Sequence, residues 1–432
     1  MTLDWDLYDP VDACLLELLR PAAHRQQESC ALAPAREWQR LALKAADLAV
    51  GPLVYAALRQ QTAGKAAPAA VMPRLRDHGL ESALRNFALY RQLRGVLDHL
   101  HAHGVEVIVL KGAYLAQAVY GDAALRMMSD IDLLVRAEAR GQVRDLLAAL
   151  GYRPEEISTD APHLLHHDLY THPELPVNLE IHWALVSQDA PFQIDMDGLW
   201  ARAEPVRLAG AAALALSPAD LLLHLCVHMT FQHVCDRFCL RCLCDIQQVV
   251  ERQGTRIDWA AVCARAHAWR CERNVHLALL LARRLLAAAV PPEVVARLRP
   301  ARFDDRLVQW AEQRVLGWVD DGEGPWSTNV GRWHLTTTWA EKWAVVRRIC
   351  FPAWPELARQ AGLPTHSPRV WLLYPRHWAH LSVRALELLL GLAGTARTPQ
   401  PSGWGAVGWT EREIGRLALV RWTGREHKGG RG

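Results

Sequence analysis

Apolar residues recur every three or four positions through the first hundred residues of the chain. The segments LLELLR, EWQRLALKAADLAVGPLVYAALRQ and LESALRNFALYRQLRGVLDHLHAHG share this spacing, which gathers apolar side chains on one face of a helix. Gly104 closes the last segment, as glycine often does after a helix. We therefore predict that this first region is helical.

The pattern changes after Gly104. Residues 105–110 read VEVIVL, a β-branched run that predicts a strand. A short helix is predicted over residues 113–120, and a loop leads from it to the sequence DIDLLV. There, Asp130 and Asp132 alternate with apolar residues, which is typical of a strand with one polar face.

A helix is predicted over residues 137–150, and another alternating segment follows at residues 177–183, VNLEIHW. Its apolar residues share one face, while Asn178, Glu180 and His182 share the other. This alternation predicts a half-buried strand with a polar face.

Helical periodicity returns at Ser217, which is placed to cap a helix that begins with Pro218. The pattern as a whole predicts an α+β fold, with a small mixed-sheet core embedded between a helical N-terminal region and a large helical C-terminal region. The predicted boundaries are 1–100 for the N-terminal region, 101–186 for the α/β core, 187–400 for the C-terminal region and 401–432 for a partly flexible tail.

Composition narrows the class of protein. Apolar residues make up 51% and charged residues 22%, which is typical of a folded globular chain. The net charge of +3 gives no reason to expect a nucleic-acid partner. The apolar stretches fall short of the roughly 20 residues that a membrane span needs, and the N-terminus does not resemble a signal peptide. The 10 cysteines do not form a recognisable disulfide framework, so we expect a cytoplasmic protein.

Three carboxylates are the main candidates for chemistry. Asp130 and Asp132 project from one face of their predicted strand, about 6.6 to 6.8 Å apart along its axis. Glu180 could add a third carboxylate from a second strand. Hard oxygen ligands of this kind suit Mg²⁺. The alternative is that the acidic pair is a solvated strand edge and that Glu180 faces water.

Next to this strand, the sequence VIVLKGAYLAQAVYGDAALRMMSDIDLLV resembles the core of the DNA polymerase β-type nucleotidyltransferase superfamily. It is more similar to uncharacterised bacterial members that begin with Lys-Gly-Ala and continue with Arg-x-Met-x-Asp-Ile-Asp-Leu-Leu-Val. Residues 105–183 carry this core resemblance, and SPADLLLHLCVHMTFQHVCDRFCLRCLCDI extends it to about residue 250.

The resemblance implies transfer of a nucleoside monophosphate from an NTP, such as ATP, to an acceptor, with release of pyrophosphate. It implies Mg²⁺, or Mn²⁺ in its place. The catalytic and metal-binding residues that it implies are Asp130, Asp132 and Glu180. The nucleotide-binding residues that it implies are Lys111, Gly112, Ala113, Arg126 and Ser129.

The predicted phosphate-binding turn departs from the superfamily pattern. That pattern usually has Gly-Gly or Gly-Ser, whereas this chain has Gly112 followed by Ala113, so a hydroxyl that would contact phosphate is missing. Lys111 and Arg126 are the candidates to replace that contact through their charge. The alternative for each is an ion pair with a surface acid.

The acceptor is not identified by the sequence and could be a small molecule, a peptide or a protein. One alternative is a catalytically silent nucleotidyltransferase-like module that binds a nucleotide or a partner protein, and another is a kinase-like or nucleotidylating modifier of a peptide or protein. The presence of all three carboxylates favours an active enzyme. Replacing Asp130 or Asp132 with Asn is expected to preserve folding, because like charges no longer repel in the metal-free site.

Other metal-ligand candidates have simpler interpretations. His224 and His228 stand four apart on a predicted helix, but Leu225 occupies the position where a metalloprotease helix has Glu. We interpret this pair as part of a packed helix face. The spacing of Cys235, Cys239, Cys242 and Cys244 does not match a paired zinc knuckle and favours buried free thiols.

Several histidines fall near the third predicted strand: His163, His166, His167, His172 and His182. Some of them are expected to line the cleft with the carboxylates. His182 is the best placed, because it shares a strand face with Glu180. It could act as a general base, or it could be a hydrogen-bonded structural histidine.

Overall fold

The fold is taken from a computed structural model. The structure describes residues 8–25, 32, 35–60, 71–155, 166–175, 177–188, 190–235, 238–301, 303–317, 339–351, 354, 367–379 and 382. The chain divides into two compact units, residues 1–370 and 371–432. In the second unit, the ring of Tyr374 lies near those of Trp371 and Trp378. The predicted tail at 401–432 lies outside the described residues.

The N-terminal region is helical, as the periodicity predicts. Its helices are α1 (Pro10–Leu19), α2 (Ala35–Asp47), α3 (Gly51–Arg59) and α4 (Met72–Ala102). The side chain of Asp9 caps α1 by accepting a hydrogen bond from the amide of Val11. Helix α4 is 31 residues long and buries Leu89, Leu93 and Leu100 against the rest of the unit.

A seven-stranded mixed sheet forms the centre of the unit. Its strands are β1 (Ile108–Val109), β2 (Asp130–Leu134), β3 (Arg153–Pro154), β4 (His167–Thr171), β5 (Asn178–His182), β6 (Glu204–Leu208) and β7 (Ala211–Ala215). They lie in the order β3-β4-β5-β2-β1-β7-β6. Strand β2 runs parallel to β5 and β1 parallel to β7, and the other neighbours are antiparallel.

Three elements predicted near the carboxylates differ from the structure in length or in the residue at which they begin. Only two residues of the segment 105–110 pair as strand β1. The following helix begins at Lys111 as α5 (Lys111–Tyr114) and continues as a π-helical turn over Leu115–Val119. The helix predicted over residues 137–150 is a 3₁₀ turn followed by α6 (Arg140–Ala149).

The hairpin of β6 and β7 is not predicted by the hydrophobic pattern. These strands contain the run AAALA, and alanine has a weak tendency to form strands. The turn between them, Ala209 and Gly210, has φ angles of +51° and +86°, and two positive φ angles match the type of turn that best joins two twisted strands. The sheet therefore continues beyond the predicted core boundary at residue 186.

The remaining described elements of the first unit are helices. They are α7 (Met196–Ala201), α8 (Pro218–Val227), α9 (Cys239–Gln253), α10 (Trp259–Ala268), α11 (Glu272–Leu286), α12 (Pro292–Leu298), α13 (Arg306–Val315) and α14 (Trp339–Cys350). Ser217 caps α8, as predicted, by accepting a hydrogen bond from the amide of Asp220. Within the described parts of the chain, no helix combines the length and apolar character needed to cross a bilayer.

Candidate active site

The strand register brings the predicted carboxylates to one face of the sheet. Strands β2 and β5 are parallel neighbours in which Asp132 pairs with Glu180 and Asp130 pairs with Asn178. Paired residues of neighbouring strands point to the same side, so the three acidic side chains share a face. The opposite face carries buried apolar residues such as Ile131 and Leu179, which anchor the two strands in the core.

Asp132 is the centre of this arrangement. It is 3% exposed, and its Oδ1 accepts hydrogen bonds from Nζ of Lys111 at 2.8 Å and from Nε2 of His182 at 3.0 Å. Nε2 of His182 also lies 3.3 Å from Oε2 of Glu180. The geometry therefore gives Asp132 two basic partners and ties it to Glu180 through His182.

Lys111 approaches Asp132 through an unusual backbone conformation. Its φ of +39° lies in the left-handed region, which a residue with a side chain rarely adopts. Such strain persists only where the surroundings impose it, and it often occurs at functional sites. The ammonium group of this residue contacts Asp132.

Burial and mutual charge shift the pKa values in opposite directions along β2. Burial raises the pKa of Asp130, and the neighbouring charge of Asp132 raises it further. Burial would also raise the pKa of Asp132, but Lys111 and His182 reverse that effect and hold it well below its usual range. Burial would lower the pKa of His182, but its hydrogen bonds to Asp132 and Glu180 raise it. The contacts of His182 favour the role of a hydrogen-bonded structural histidine, and its role as general base stays a prediction.

Ser129 and Arg85 lie at the start of β2. The side chain of Ser129 acts on neighbouring Asp130 and offsets a small part of the rise in the pKa of that carboxyl. Nη2 of Arg85, on α4, donates to the carbonyl of Ser129 at 3.2 Å. Helix α4 therefore holds the start of the strand that carries both aspartates.

Arg126 lies in the loop that leads into β2, and its guanidinium is hydrogen-bonded to a residue of another helix. Its Nε and Nη2 donate to the two oxygens of buried Asp245 on α9, at 2.9 and 2.8 Å. The hydroxyl of Tyr120 donates to Asp245 as well, at 2.9 Å. The partner of Arg126 is thus a buried acid rather than a surface acid, and its contact with a triphosphate stays a prediction.

Gly112 and Ala113 are both buried. A Cβ atom on Gly112 would lie 2.5 Å from Nη1 of Arg126, so a larger residue here would displace the end of the Arg126 side chain. The carbonyl of Ala113 accepts a hydrogen bond from the hydroxyl of Tyr90 at 2.8 Å. The turn is therefore fixed by Arg126 on one side and by α4 on the other.

Sequence reasoning missed the residues that support this loop. The side-chain amide of Asn86, on α4, donates to the carbonyls of Ala123 and Arg126, and Asp245 anchors the same loop from α9. Asp245 stands alone in the apolar segment FCLRCLCDI. An isolated carboxylate inside an apolar run is a signal that could have found it, because buried charges need a partner.

The histidines divide between the site and its surroundings. Among the described residues, two groups bring three metal-ligand atoms within 4.8 Å of one another: His166, His167 and His182, and Asp132, Glu180 and His182. His172 instead lies beside the ring of Tyr152. His163 lies outside the described residues.

The cysteines and the pair His224 and His228 do not belong to those two groups. Cys235, Cys239, Cys242 and Cys244 are buried and are not in disulfides, as the apolar neighbours predict, whereas Cys14 is disulfide-bonded. His224 is buried in α8, and burial lowers its pKa to about 3, with a further contribution from the charge of Lys111. It is therefore a neutral neighbour of the site.

The donor set fits a divalent metal of the Mg²⁺ type. The carboxylates of Asp130, Asp132 and Glu180 share one sheet face on rigid, parallel strands. Burial and the charge of Asp132 raise the pKa of Asp130, and a bound cation would oppose both effects. Oxygen ligands in a partly open site are the ones that Mg²⁺ prefers when substrate phosphates complete its shell.

The residues of this site lie in a segment that matches the sequence pattern of one known family. The sequence pattern of the family described as "Uncharacterised nucleotidyltransferase" matches residues 34–287, which is more than half of the chain. No curated protein matches the chain.

Solved structures give a weak similarity. A solution structure of the antibiotic-resistance factor ANT(2'')-Ia is 15% identical with a TM-score of 0.29, and the match covers 42% of this chain and 98% of that one. A crystal structure of ANT(2'')-Ia in complex with adenylyl-2''-tobramycin is 16% identical, with the same TM-score of 0.29, and the match covers 42% and 97% of the two chains. At this level of similarity, neither structure indicates the nucleotide or the acceptor of this chain.

Proposed function

The chain belongs to the family of uncharacterised nucleotidyltransferases, and from that membership we propose that it moves a nucleoside monophosphate from an NTP to an acceptor. The reaction depends on Mg²⁺ or Mn²⁺ and releases pyrophosphate. The acceptor is a small molecule, a peptide or a protein.

The register of β2 and β5 is the observation that supports this proposal best. It places Asp130 and Asp132 on the same sheet face as Glu180, next to the turn that contains Lys111 and Gly112. An NTP needs a cation site for its phosphates and an adjacent basic group. The register and the Lys111–Asp132 contact bring three carboxylates suited to a cation and one ammonium group into this small region.

Asp130, Asp132 and Glu180 would hold the metal, which supplies charge stabilisation at the transferring phosphate and its oxygens. Because the carboxylates are fixed on strands, little reorganisation is needed when charge develops. His182 positions two of them through its contacts with Asp132 and Glu180.

Lys111 has a separate role in the proposal. Its ammonium neutralises Asp132 in the structure. When phosphates enter, this group moves from the carboxylate to a phosphate oxygen, while Gly112 and Ala113 keep the turn in place. Ser129 contributes its hydroxyl at the start of β2, and Arg126 fixes the turn through its approach to Gly112.

Labelled NTPs test the proposal. The full chain with Mg²⁺ is incubated with an acceptor panel of metabolites, peptides and lysate proteins, and each NTP is supplied with phosphorus-32 at either the α or the γ position. Nucleotidyl transfer carries the α label to the acceptor and releases pyrophosphate. A kinase-like reaction carries the γ label instead and would contradict the proposal.

Two variants make the result interpretable. Glu180→Gln is expected to abolish transfer of the α label, whereas Glu174→Gln changes an exposed carboxylate that lies before β5 and is expected to have no effect. Calorimetry with each NTP and Mg²⁺ is run in parallel. Nucleotide binding without transfer across the whole panel would favour the silent binding module.

A further inference from the structure

Three histidines lie together beside the carboxylates. His167 and His182 are paired residues of the antiparallel strands β4 and β5, and His166 directly precedes β4. The ring centroid of His167 lies 4.7 Å from that of His166 and 5.0 Å from that of His182. The centroids of His166 and His182 are 5.6 Å apart. One ligand atom from each ring lies within 4.8 Å of the other two.

The hydrogen bonds around the rings indicate which nitrogens carry a lone pair, and a metal on His166 would replace one of these hydrogen bonds. The side-chain amide of Gln232 donates to the carbonyl of Leu185 at 3.1 Å and to Nε2 of His166 at 3.3 Å, so this nitrogen of His166 acts as an acceptor. Nδ1 of His167 is buried and has no hydrogen-bond partner among the described residues. Burial lowers the pKa of His166 to about 3 and also lowers that of His167, so both rings are neutral at neutral pH.

His182 is the third histidine of this group, and its ring contacts carboxylates. Its Nε2 faces the carboxylates of Asp132 and Glu180. A metal-binding imidazole commonly donates its second ring N–H to a carboxylate, which orients the ring and makes the other nitrogen a better ligand.

We infer that His166, His167 and His182 form a binding site for a borderline divalent transition metal, of which Zn²⁺ is the representative ion. Three imidazoles suit such an ion, whereas Mg²⁺ requires oxygen ligands. Zinc binds nitrogen at about 2.0 to 2.1 Å, so modest ring rotations must draw the three nitrogens closer together. A fourth position stays open for water or another ligand. The inference does not rest on the proposed function, because it concerns metal binding without nucleotide.

A second group, Asp132, Glu180 and His182, also brings three ligand atoms together. However, the ammonium of Lys111 lies 2.8 Å from Oδ1 of Asp132 and would compete with a cation there. Among the described residues, no lysine or arginine side chain forms a hydrogen bond with the rings of these three histidines. The histidine group is therefore the favoured zinc site.

Metal titration tests this site. The full chain is treated with a chelator, and ZnCl₂ is then titrated by calorimetry without nucleotide, with Co²⁺ absorption as a second measurement. We expect one tight Zn²⁺ per chain that excess Mg²⁺ does not displace. The double variant His166→Gln/His167→Gln leaves His182 with the carboxylates and is expected to weaken zinc binding by at least about 100-fold, since even indirect partners of a metal contribute 10- to 100-fold.

His101→Gln, an exposed histidine on α4, is the matched control and is expected to bind Zn²⁺ like the unmodified chain. The inference is overturned if the folded chain binds no Zn²⁺. It is equally overturned if the double variant binds Zn²⁺ unchanged while Glu180→Gln does not, which would place the ion on the carboxylates. Asp130→Asn separates the two proposals, because it is expected to abolish nucleotidyl transfer while leaving zinc binding intact.

Discussion

Arg126 and Asp245 are joined inside the molecule by two parallel hydrogen bonds, Nε to Oδ1 at 2.9 Å and Nη2 to Oδ2 at 2.8 Å. They come from the loop before β2 and from helix α9, which are separated by 119 positions in the chain. This buried pair holds the loop that leads into the aspartates, so the helical C-terminal region supports the geometry of the sheet site.

The first prediction concerns that pair. Asp245→Asn leaves the buried guanidinium of Arg126 without its opposite charge, which is expected to lower the free energy of unfolding by about 3 to 5 kcal/mol. Urea denaturation measures the change. Glu251→Gln, an exposed change on the same helix, should stay within about 0.5 kcal/mol. A stable Asp245→Asn variant would mean that the pair contributes little.

The second prediction separates the two aspartates. The sequence alone predicts that Asn is tolerated at both. The structure divides them, because Asp130 has a raised pKa from burial and from Asp132, whereas Asp132 is held ionised by Lys111 and His182. In chelated protein, Asp130→Asn should maintain or raise the free energy of unfolding, and Asp132→Asn should lower it by about 3 kcal/mol.

Turnover should respond differently from stability. Both Asn variants are expected to lose at least about a hundredfold in turnover, because several kcal/mol of charge stabilisation at the phosphate are lost. Combining either with Glu180→Gln should cost little more, since the three carboxylates act as a unit. Rates and urea midpoints are measured on the same preparations. A double variant with unmodified turnover would assign these residues a structural role.

The third prediction concerns the two basic residues near the turn. Lys111→Met should raise the apparent KM for the nucleotide by about tenfold or more, since one charged hydrogen bond contributes about 1.5 to 3 kcal/mol. Arg126→Met should act mainly on stability, because its guanidinium is bound to Asp245. Lys44→Met, which removes an ion pair with Asp12 in the N-terminal region, is the control. Unchanged kinetics in Lys111→Met would remove Lys111 from the nucleotide site.

The fourth prediction is a pH dependence of stability. Burial lowers the pKa of His224 from 6.5 to about 3, so the folded state keeps this ring neutral while the unfolded chain binds a proton below 6.5. Stability is therefore complete above pH 6.5 and is lost as the pH falls toward 3, by about 1.4 kcal/mol per pH unit for one such group.

His224→Leu tests this sign and size. The free energy of unfolding is measured at several pH values between 6.5 and 5 for both proteins in the presence of a chelator. The variant should show a shallower decrease with acid, whatever its absolute stability. His166, whose pKa burial also lowers to about 3, should preserve part of the slope in both proteins. Identical slopes would contradict the prediction.

The sequence predicts what depends on local periodicity. Alternation in DIDLLV and VNLEIHW places Asp130, Asp132, Glu180 and His182 on polar strand faces, and the structure has the same strands. The cap at Ser217 is predicted for the same reason, because its hydrogen bond stays within one helical turn. Patterns of this kind need no knowledge of which elements become neighbours.

Partners that arrive from distant parts of the chain could not be predicted. Lys111 and His182 reach Asp132 from 21 and 50 positions away, and their charges reverse the effect of burial on its pKa. The local pattern contains no information on such contacts. The hairpin of β6 and β7 was not predicted for another reason. Alanine-rich β7 has a weak strand preference, so the hairpin is recognised only from the pairing of its strands.

The position of β7 has a consequence for the modularity of the protein. Strand β1 lies between β2 and β7, and Ile108 pairs with Leu214 of β7, well beyond the predicted end of the core at residue 186. A fragment cut at that boundary would leave one side of β1 as a bare edge with unsatisfied backbone groups, which invites edge-to-edge aggregation. The same cut would remove Asp245 and leave the guanidinium of Arg126 without its ion-pair partner. The site therefore cannot be transferred as the segment 101–186 alone. Recombination that exchanged helical regions between relatives would have to keep the β6–β7 hairpin and α9 together with the core.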